Sequence, residues 1–145
     1  MVLNNITLVD DRKLVNISLK GKVISHVSDD KTSLIEDDFQ FDFDGAIAFP
    51  GLINSHDHLD FNCFPVLNQQ TYNNYTEWGK DIHKKYKKEI KEVLNIPQHL
   101  RAAWGMYKNL LAGVTTVINH GPVLKINDPL ITIRQEFQCL HSVKF

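Results

Sequence analysis

The segment Val114–Ile118 constrains the fold of this chain more than any other, because it is a nearly continuous run of β-branched residues. Such a run is typical of a strand that is buried on both faces in a parallel sheet. Helical periods precede it on both sides of Pro97, and Gly113 suits the left-handed position that ends a helix. A strand, a long loop, a helix pair and a buried strand follow one another in the order of a βα-type parallel sheet.

Two apolar stripes define the predicted helices. The first helix is expected to begin with Thr76 as its N-cap residue, and the second to lie between Pro97 and Gly113. Apolar residues at helical spacing share one face, which we expect to be buried. The first stripe comprises Trp78, Ile82, Tyr86, Ile90, Val93 and Leu94, and the second comprises Leu100, Ala103, Trp104, Tyr107, Leu110 and Leu111. The segment from Asn127 is either helical or extended, and Cys139–Phe145 predicts a further strand.

Residues 2–50 show the period of two that indicates half-buried β-strands. Leu14–Leu19 alternates from Val15 onward, and Lys20–Lys22 favours a tight hairpin turn after it. Asp44-Gly45 is a second turn signal, whereas Ser28–Asp38 is polar and acidic and predicts an exposed loop. We therefore expect an N-terminal β-segment over residues 1–50, with antiparallel strands, and an α/β portion over residues 51–145.

Composition excludes several classes of protein. The 145 residues include 16 lysines and arginines against 17 aspartates and glutamates, which gives a formal net charge of −1. This balance excludes a strongly basic nucleic-acid binder, and no apolar run approaches the ~18–20 residues of a membrane span. The N-terminus lacks the pattern of a signal peptide. Cys63 and Cys139 lack CxxC spacing, so we expect reduced thiols in a cytoplasmic protein.

His56 and His58 are separated by one residue at the end of a predicted strand. Side chains at positions i and i+2 of a strand point to the same face, so the two imidazoles would converge while Asp57 faces away. Neutral imidazole is the commonest nitrogen ligand of zinc and related divalent ions. The pair alone leaves two alternatives open, a metal site or two incidental polar residues.

The surrounding residues carry a family resemblance. Phe49–Leu59 reads FPGLINSHDHL and closely resembles the PG-[LF]-[IV]-[DN]-x-H-x-H signature of the amidohydrolase superfamily of metal-dependent hydrolases. Gly21–Val23 is similar to the hairpin of the family's N-terminal strands, and Asp44-Gly45 stands at its acidic-Gly step. Leu111–Val117 is similar to its second barrel strand.

The resemblance implies a partial (β/α)₈ barrel, made of the first two or three βα units and preceded by strands of a small β-sandwich. It implies that His56 and His58 are metal ligands from the first strand, with zinc as the default ion and iron or manganese as alternatives. It also implies hydrolysis of a C–N bond in a small-molecule substrate, such as a cyclic amide, an amidine or an aminated heterocycle. The catalytic Asp of the family lies on the last barrel strand.

For other residues near the motif, the sequence leaves the role open. His120 follows Val114–Ile118 directly, so it either contacts substrate at the mouth of the barrel or is a loop histidine bonded to backbone or solvent. Cys63 is a possible thiolate ligand but suits a small buried role better. His141 suits a structural or exposed position, and the aromatic loop after His58 either shapes a pocket or packs on itself.

The length of the chain limits how much of a barrel it can contain. A complete barrel of this kind takes ~250 residues, so residues 51–145 hold only its first part. We expect an N-terminal fragment, in which the catalytic Asp and the later ligands lie beyond Phe145. Self-association or a second chain is then expected to complete the sheet. The alternatives are a non-catalytic remnant, one subunit of a split enzyme, and a small β-rich binding module.

Overall fold

The computed structural model describes residues 1–29 and 39–137. The chain divides into two compact units, Met1–Pro50 and Gly51–Phe145. The predicted strand Cys139–Phe145 and most of the predicted loop Ser28–Asp38 lie outside the described residues. Within the described ranges, no helix is long and apolar enough to cross a membrane.

The first unit is a five-stranded sheet around a small apolar core. Its strands β1–β3 are antiparallel neighbours, as predicted, but β4 and β5 both pair with β1 in the parallel direction. Ile6, Val15 and Ile17 form the core. The strands are β1 (Val2–Leu8), β2 (Leu14–Lys20), β3 (Val23–Ser28), β4 (Gln40–Asp42) and β5 (Ile47–Ala48).

The second unit contains a three-stranded parallel sheet in the order β6-β7-β8. Three helices connect the first two strands, and an extended segment leads to the third, so the open question at Asn127 resolves to strand. The elements are β6 (Leu52–Asp57), a 3₁₀ helix (Leu59–Phe61), α1 (Tyr75–Lys85), α2 (Lys87–Leu94), α3 (Gln98–Leu111), β7 (Val114–Asn119) and β8 (Thr132–Arg134). The predicted mixed α/β class is therefore present, with parallel pairing.

The 3₁₀ helix packs directly on α3. Leu59 is fully buried in the apolar core of the unit, together with Ala102 and Met106 of α3 and with Val117 of β7. At Gly105 a β-carbon would lie 2.2 Å from the carbonyl oxygen of Leu59, a distance that no real side chain tolerates. Glycine at this position allows α3 to approach the chain that follows His58.

The first predicted helix is in fact two helices. Tyr86 leaves the helical conformation with φ −114° and ψ 31°, so α1 ends at Lys85 and α2 begins at Lys87. The N-cap is Asn74 rather than Thr76, because the Asn74 side chain accepts a hydrogen bond from the backbone N–H of Glu77 at 3.0 Å.

The face of α3 that we expected to be buried is exposed. Trp104 is 52% exposed and Leu111 is 85% exposed, whereas the buried residues are Arg101, Ala102, Gly105, Met106 and Asn109. Small residues on this second face permit the close approach to Leu59, and the polar ones find partners in the core. The strand β7 also departs from burial on both faces, since Thr115 is exposed.

Candidate metal centre

Three histidines meet where β6 and β7 end. His56 lies on β6, His58 follows it directly, and His120 is the first residue after β7. The parallel register pairs Asp57 with Asn119, and the backbone N–H of His120 donates to the carbonyl of Asp57 at 2.6 Å. Because the carboxyl ends of parallel strands share one edge, the main chain itself brings the three side chains to one place.

The imidazole rings form a compact cluster. One nitrogen from each of His56, His58 and His120 lies within 4.8 Å of the others. The ring centroids are 5.4 Å apart for His56 and His58, 4.7 Å for His56 and His120, and 4.8 Å for His58 and His120. The closest atoms are Nε2 of His58 and Nδ1 of His120, at 3.1 Å.

The donor set and spacing of this cluster suit a divalent ion. Two nitrogens bound to one tetrahedral zinc ion at ~2.0–2.1 Å lie about 3.4 Å apart, which is close to the shortest separation in the cluster. His56 is exposed, and the other two rings are half-buried, so the cluster is open on one side. A cavity of about 310 Å³ adjoins it, lined by His56, Asp57, His58, Phe61, Asn62 and Lys108.

Asp57 is held by three amide groups. Its Oδ2 accepts hydrogen bonds from Nδ2 of Asn54 at 2.9 Å and from Nδ2 of Asn109 at 2.6 Å, and its Oδ1 accepts one from Nδ2 of Asn62 at 2.7 Å. Asn54 also donates to Oδ1 of Asn109, and Asn109 donates to the carbonyl of Gly105. The bond from Asn109 therefore ties Asp57 to α3, although Asp57 also lines the cavity beside the two imidazoles.

A second set of contacts fixes the chain after His58. The buried side chain of Asn119 accepts a hydrogen bond from the backbone N–H of Leu59 at 3.1 Å. The ring of Phe61 stacks on His58 with a centroid distance of 5.5 Å and an interplanar angle of 15°. These contacts restrict the position of the His58 ring from the backbone side and from one ring face.

Asp60 connects the 3₁₀ helix to α3. Both Asp60 and Arg101 are buried, and Oδ2 of Asp60 lies 3.9 Å from Nη2 of Arg101 and accepts a hydrogen bond from Nε2 of Gln98 at 2.9 Å. Nε and Nη1 of Arg101 have no hydrogen-bond partner within the described part of the chain. This pair therefore anchors the turn two residues beyond His58.

The loop after the 3₁₀ helix borders an apolar pocket of about 480 Å³. Phe61, Phe64 and Trp78 line it, together with residues of α1 and α2. The hydroxyl of Tyr72 donates to Oδ2 of Asp81 at 2.5 Å, and this bond raises the pKa of Tyr72 to about 12. The same bond, supported by Lys85, lowers the pKa of Asp81. The loop is thereby tied to α1.

The remaining predicted residues do not join the cluster. Cys63 is a half-buried free thiol, and His83 lines the apolar pocket. Cys139 and His141 lie outside the described residues. Sequence reasoning did not find Asn109, because its partner Asp57 is 52 positions away along the chain. The spacing of Arg101, Gly105 and Asn109 at four-residue intervals on one face of the helix is the signal that would have indicated it.

Known structures share this fold, whereas no family model and no curated protein matches the chain. A triazine hydrolase from Arthrobacter aurescens has a TM-score of 0.59 and 23% identity, over 81% of this chain and 28% of that one. Atrazine chlorohydrolase TrzN from Arthrobacter aurescens TC1, complexed with zinc, has a TM-score of 0.59 and 22% identity over the same shares. A mutant of that chlorohydrolase, complexed with zinc and atraton, has a TM-score of 0.55 and 25% identity, again over 81% and 28%.

These similarities support a fold shared with zinc-containing hydrolases. The chain spans only 28% of the length of each of the three structures, so what it shares with them is one part of their fold.

Proposed function

We propose that this chain is the N-terminal part of a metal-dependent hydrolase of the amidohydrolase type, acting on a C–N bond. The observation that carries the proposal is the convergence of His56, His58 and His120 at the carboxyl edge of a parallel sheet. Enzymes built on parallel β/α barrels bind substrate at that edge. Two further observations support it. The residues around His56 and His58 resemble the signature of the family, and the similar solved hydrolases contain zinc.

His56 and His58 are the proposed ligands of a divalent ion, with zinc preferred and iron or manganese as alternatives. A bound ion supplies a Lewis acid and makes water acidic enough to give a nucleophile at neutral pH. The substrate is proposed to be a small molecule that enters from the open side of the cluster. For His120, the residue that follows the neighbouring strand, the sequence predicts contact with this substrate.

The substrate class is proposed as an aminated nitrogen heterocycle, a cyclic amide or an amidine. Its support is the family resemblance of Phe49–Leu59, together with the names of the similar structures, which are a triazine hydrolase and an atrazine chlorohydrolase. Incubation of the zinc-loaded chain with aminated and chlorinated triazines separates the two reactions. Ammonia or amine release supports C–N cleavage, and chloride release alone contradicts it.

We propose that the catalytic Asp and the later ligands come from beyond the barrel units present here, through self-association or a second chain. Within residues 51–137, β6 and β8 each pair with one strand only, and α3 exposes Trp104 and Leu111. Unpaired strand edges and apolar helix faces favour association. Light scattering coupled to size-exclusion chromatography tests this directly, and a stable monomer at micromolar concentration contradicts it.

A cytoplasmic location is also proposed. It is supported by Cys63, whose thiol is free, since free thiols persist in reducing compartments. Fractionation of cells that express the chain tests this location, and recovery in an exported fraction contradicts it.

Metal analysis tests the core of the proposal. The purified chain is expected to retain or take up zinc, and the double variant His56→Ala, His58→Ala is expected to lose it. His99→Ala is the matched control, because His99 is an exposed histidine of the same unit outside the cluster. Equal zinc content in the wild-type chain and the double variant contradicts the ligand assignment.

A further inference from the structure

We propose that His120 is a third ligand of the metal ion, bound through Nδ1, rather than a residue that contacts substrate. The inference rests on the proposed metal site of His56 and His58 and adds to it a residue from a different strand. A third ligand would increase the affinity for the ion that the chain provides by itself. Catalytic zinc sites commonly have three protein ligands and one open position, so a third nitrogen from His120 would hold the ion before any later ligand joins it.

The main chain fixes the position of His120. Its N–H donates to the carbonyl of Asp57 at 2.6 Å, which is the residue between the two strand histidines. The neighbouring Asn119 is 2% exposed and accepts the N–H of Leu59 at 3.1 Å. The two hydrogen bonds lie on either side of His58 along the chain. The main chain at His58 and at His120 is therefore held in place by strand pairing and by a buried amide.

The ring nitrogens identify the ligand atoms. Nδ1 of His120 faces Nε2 of His58 at 3.1 Å, and His56 contributes the third nitrogen within 4.8 Å. Without a metal ion, two imidazole nitrogens at this distance are compatible only if one of them carries a hydrogen between them. A divalent ion can take the place of that hydrogen, because each neutral ring then directs a lone pair at the ion. Small side-chain rotations bring the remaining nitrogen within the ~3.4 Å that a tetrahedral site requires.

The surroundings of His120 favour a ligand over a substrate contact. Its ring lies against both other rings, with centroid distances of 4.7 Å to His56 and 4.8 Å to His58. The ring nitrogen that faces the cluster is therefore directed at the metal position. Phe61 stacks on the ring of His58, with a centroid distance of 5.5 Å, and so covers one face of that ring.

The test is a metal titration of the full chain in competition with a chromogenic chelator. His120→Ala is expected to weaken zinc binding by more than the roughly 10–100-fold that loss of a supporting hydrogen bond costs. His120→Asn keeps a side chain that can hydrogen-bond to His58 but removes the imidazole, so it is expected to bind as weakly as His120→Ala. His99→Ala is expected to match the wild type within about twofold, as a surface histidine should.

A spectroscopic variant makes the test independent of folding effects on affinity. His120→Cys, loaded with Co²⁺, is expected to show a sulfur-to-cobalt charge-transfer band that the wild type lacks. The wild-type chain already contains Cys63 and Cys139, so it is the correct baseline for this band. Circular dichroism of each variant is the check that the fold is retained.

The outcomes separate the two proposals. If His56→Ala with His58→Ala abolishes zinc binding but His120→Ala does not weaken it and His120→Cys gives no band, the third-ligand assignment is wrong and the metal proposal stands. If His120→Asn restores wild-type affinity, His120 is a positioning residue for His58. If the wild-type chain binds no zinc, both proposals are wrong.

Discussion

The end of β6 has two sides that use polar groups in opposite ways. On the closed side, the carboxylate of Asp57 accepts hydrogen bonds from three asparagine amides, and one of these asparagines, Asn54, also donates to another, Asn109. On the open side, the rings of His56 and His58 border a cavity, which Asp57 and Asn62 also line in part. The comparison shows that a hydrogen-bonded carboxylate and an accessible pair of imidazoles lie side by side at the end of one strand. The closed side is expected to determine stability, and the open side metal affinity.

Removing Asn109 should break the closed side. Asn109→Ala deletes the bonds to Asp57, Asn54 and Gly105, and loss of buried bonds to a charged group should lower the free energy of unfolding by about 2–4 kcal/mol. Urea unfolding followed by tryptophan fluorescence measures this, because both tryptophans lie in the second unit. Asn95→Ala, at an exposed position, should change it by less than about 0.5 kcal/mol. Equal effects of both variants contradict the prediction.

A pair of glycine variants should give opposite signs. Gly105→Ala forces a β-carbon against the carbonyl of Leu59, and the overpacking should cost about 1–3 kcal/mol despite the better helix propensity of alanine. Gly79→Ala in α1 meets nothing within 4 Å and should stabilise the chain by about 0.5–1 kcal/mol. The same unfolding measurement checks both. Destabilisation by Gly79→Ala, or none by Gly105→Ala, would show that the close approach of α3 is not as described.

The hydrogen bond between Tyr72 and Asp81 gives a predicted pH dependence of stability that does not involve the three clustered histidines. Because the pKa of Tyr72 is raised from 10.0 to about 12, its bond should stabilise the fold below pH 10 and be lost as the pH rises through about 12. Because the pKa of Asp81 is lowered from 3.8, its contribution should be present above that value and be lost as the pH falls through the lowered pKa.

Tyrosinate absorbance measures the alkaline half of this prediction. Asp81→Asn should return the late-titrating tyrosine towards its ordinary pKa, and Tyr72→Phe should remove that step altogether. Tyr75→Phe is the control, because Tyr75 is 74% exposed and its substitution should leave the late step in place. A late step that survives Tyr72→Phe belongs to another residue.

The open side should contribute almost nothing to stability. His56→Ala should change the free energy of unfolding of the metal-free chain by less than about 0.5 kcal/mol, since the side chain is exposed. Added zinc should stabilise the wild type, by about 2.7 kcal/mol at a hundredfold excess over its dissociation constant, and should stabilise the variant less. Thermal unfolding with and without zinc compares the two. A large loss in the metal-free variant would contradict the division between the two sides.

Some features were predictable because they depend on neighbours in sequence. The rings of His56 and His58 lie 5.4 Å apart, as their spacing by one residue in a strand indicated, and Gly113 follows the end of α3 with a φ of 79°. The turn at Gly21, which has a φ of 62°, follows from the same local logic.

Other features depend on contacts between distant residues. The ladder between β6 and β7 has register irregularities near Leu52 and between Asn54 and Asp57, so the sequence could not place Asn119 opposite Asp57 or His120 beside the other two histidines. α3 is apolar on more than one face, and its packing against Leu59 selects the face with Ala102 and Gly105. The break at Tyr86 also has no local breaker residue to predict it.

The hydrogen bond from the N–H of His120 to the carbonyl of Asp57 joins main-chain atoms, and it is therefore indifferent to the side chains at positions 56, 58 and 120. The main chain at those three positions is therefore expected to keep its alignment when the side chains are replaced. Cysteine there would turn the preference towards softer ions, and aspartate towards harder ones. Substituting these side chains alone is therefore expected to change which ion this edge of the sheet prefers.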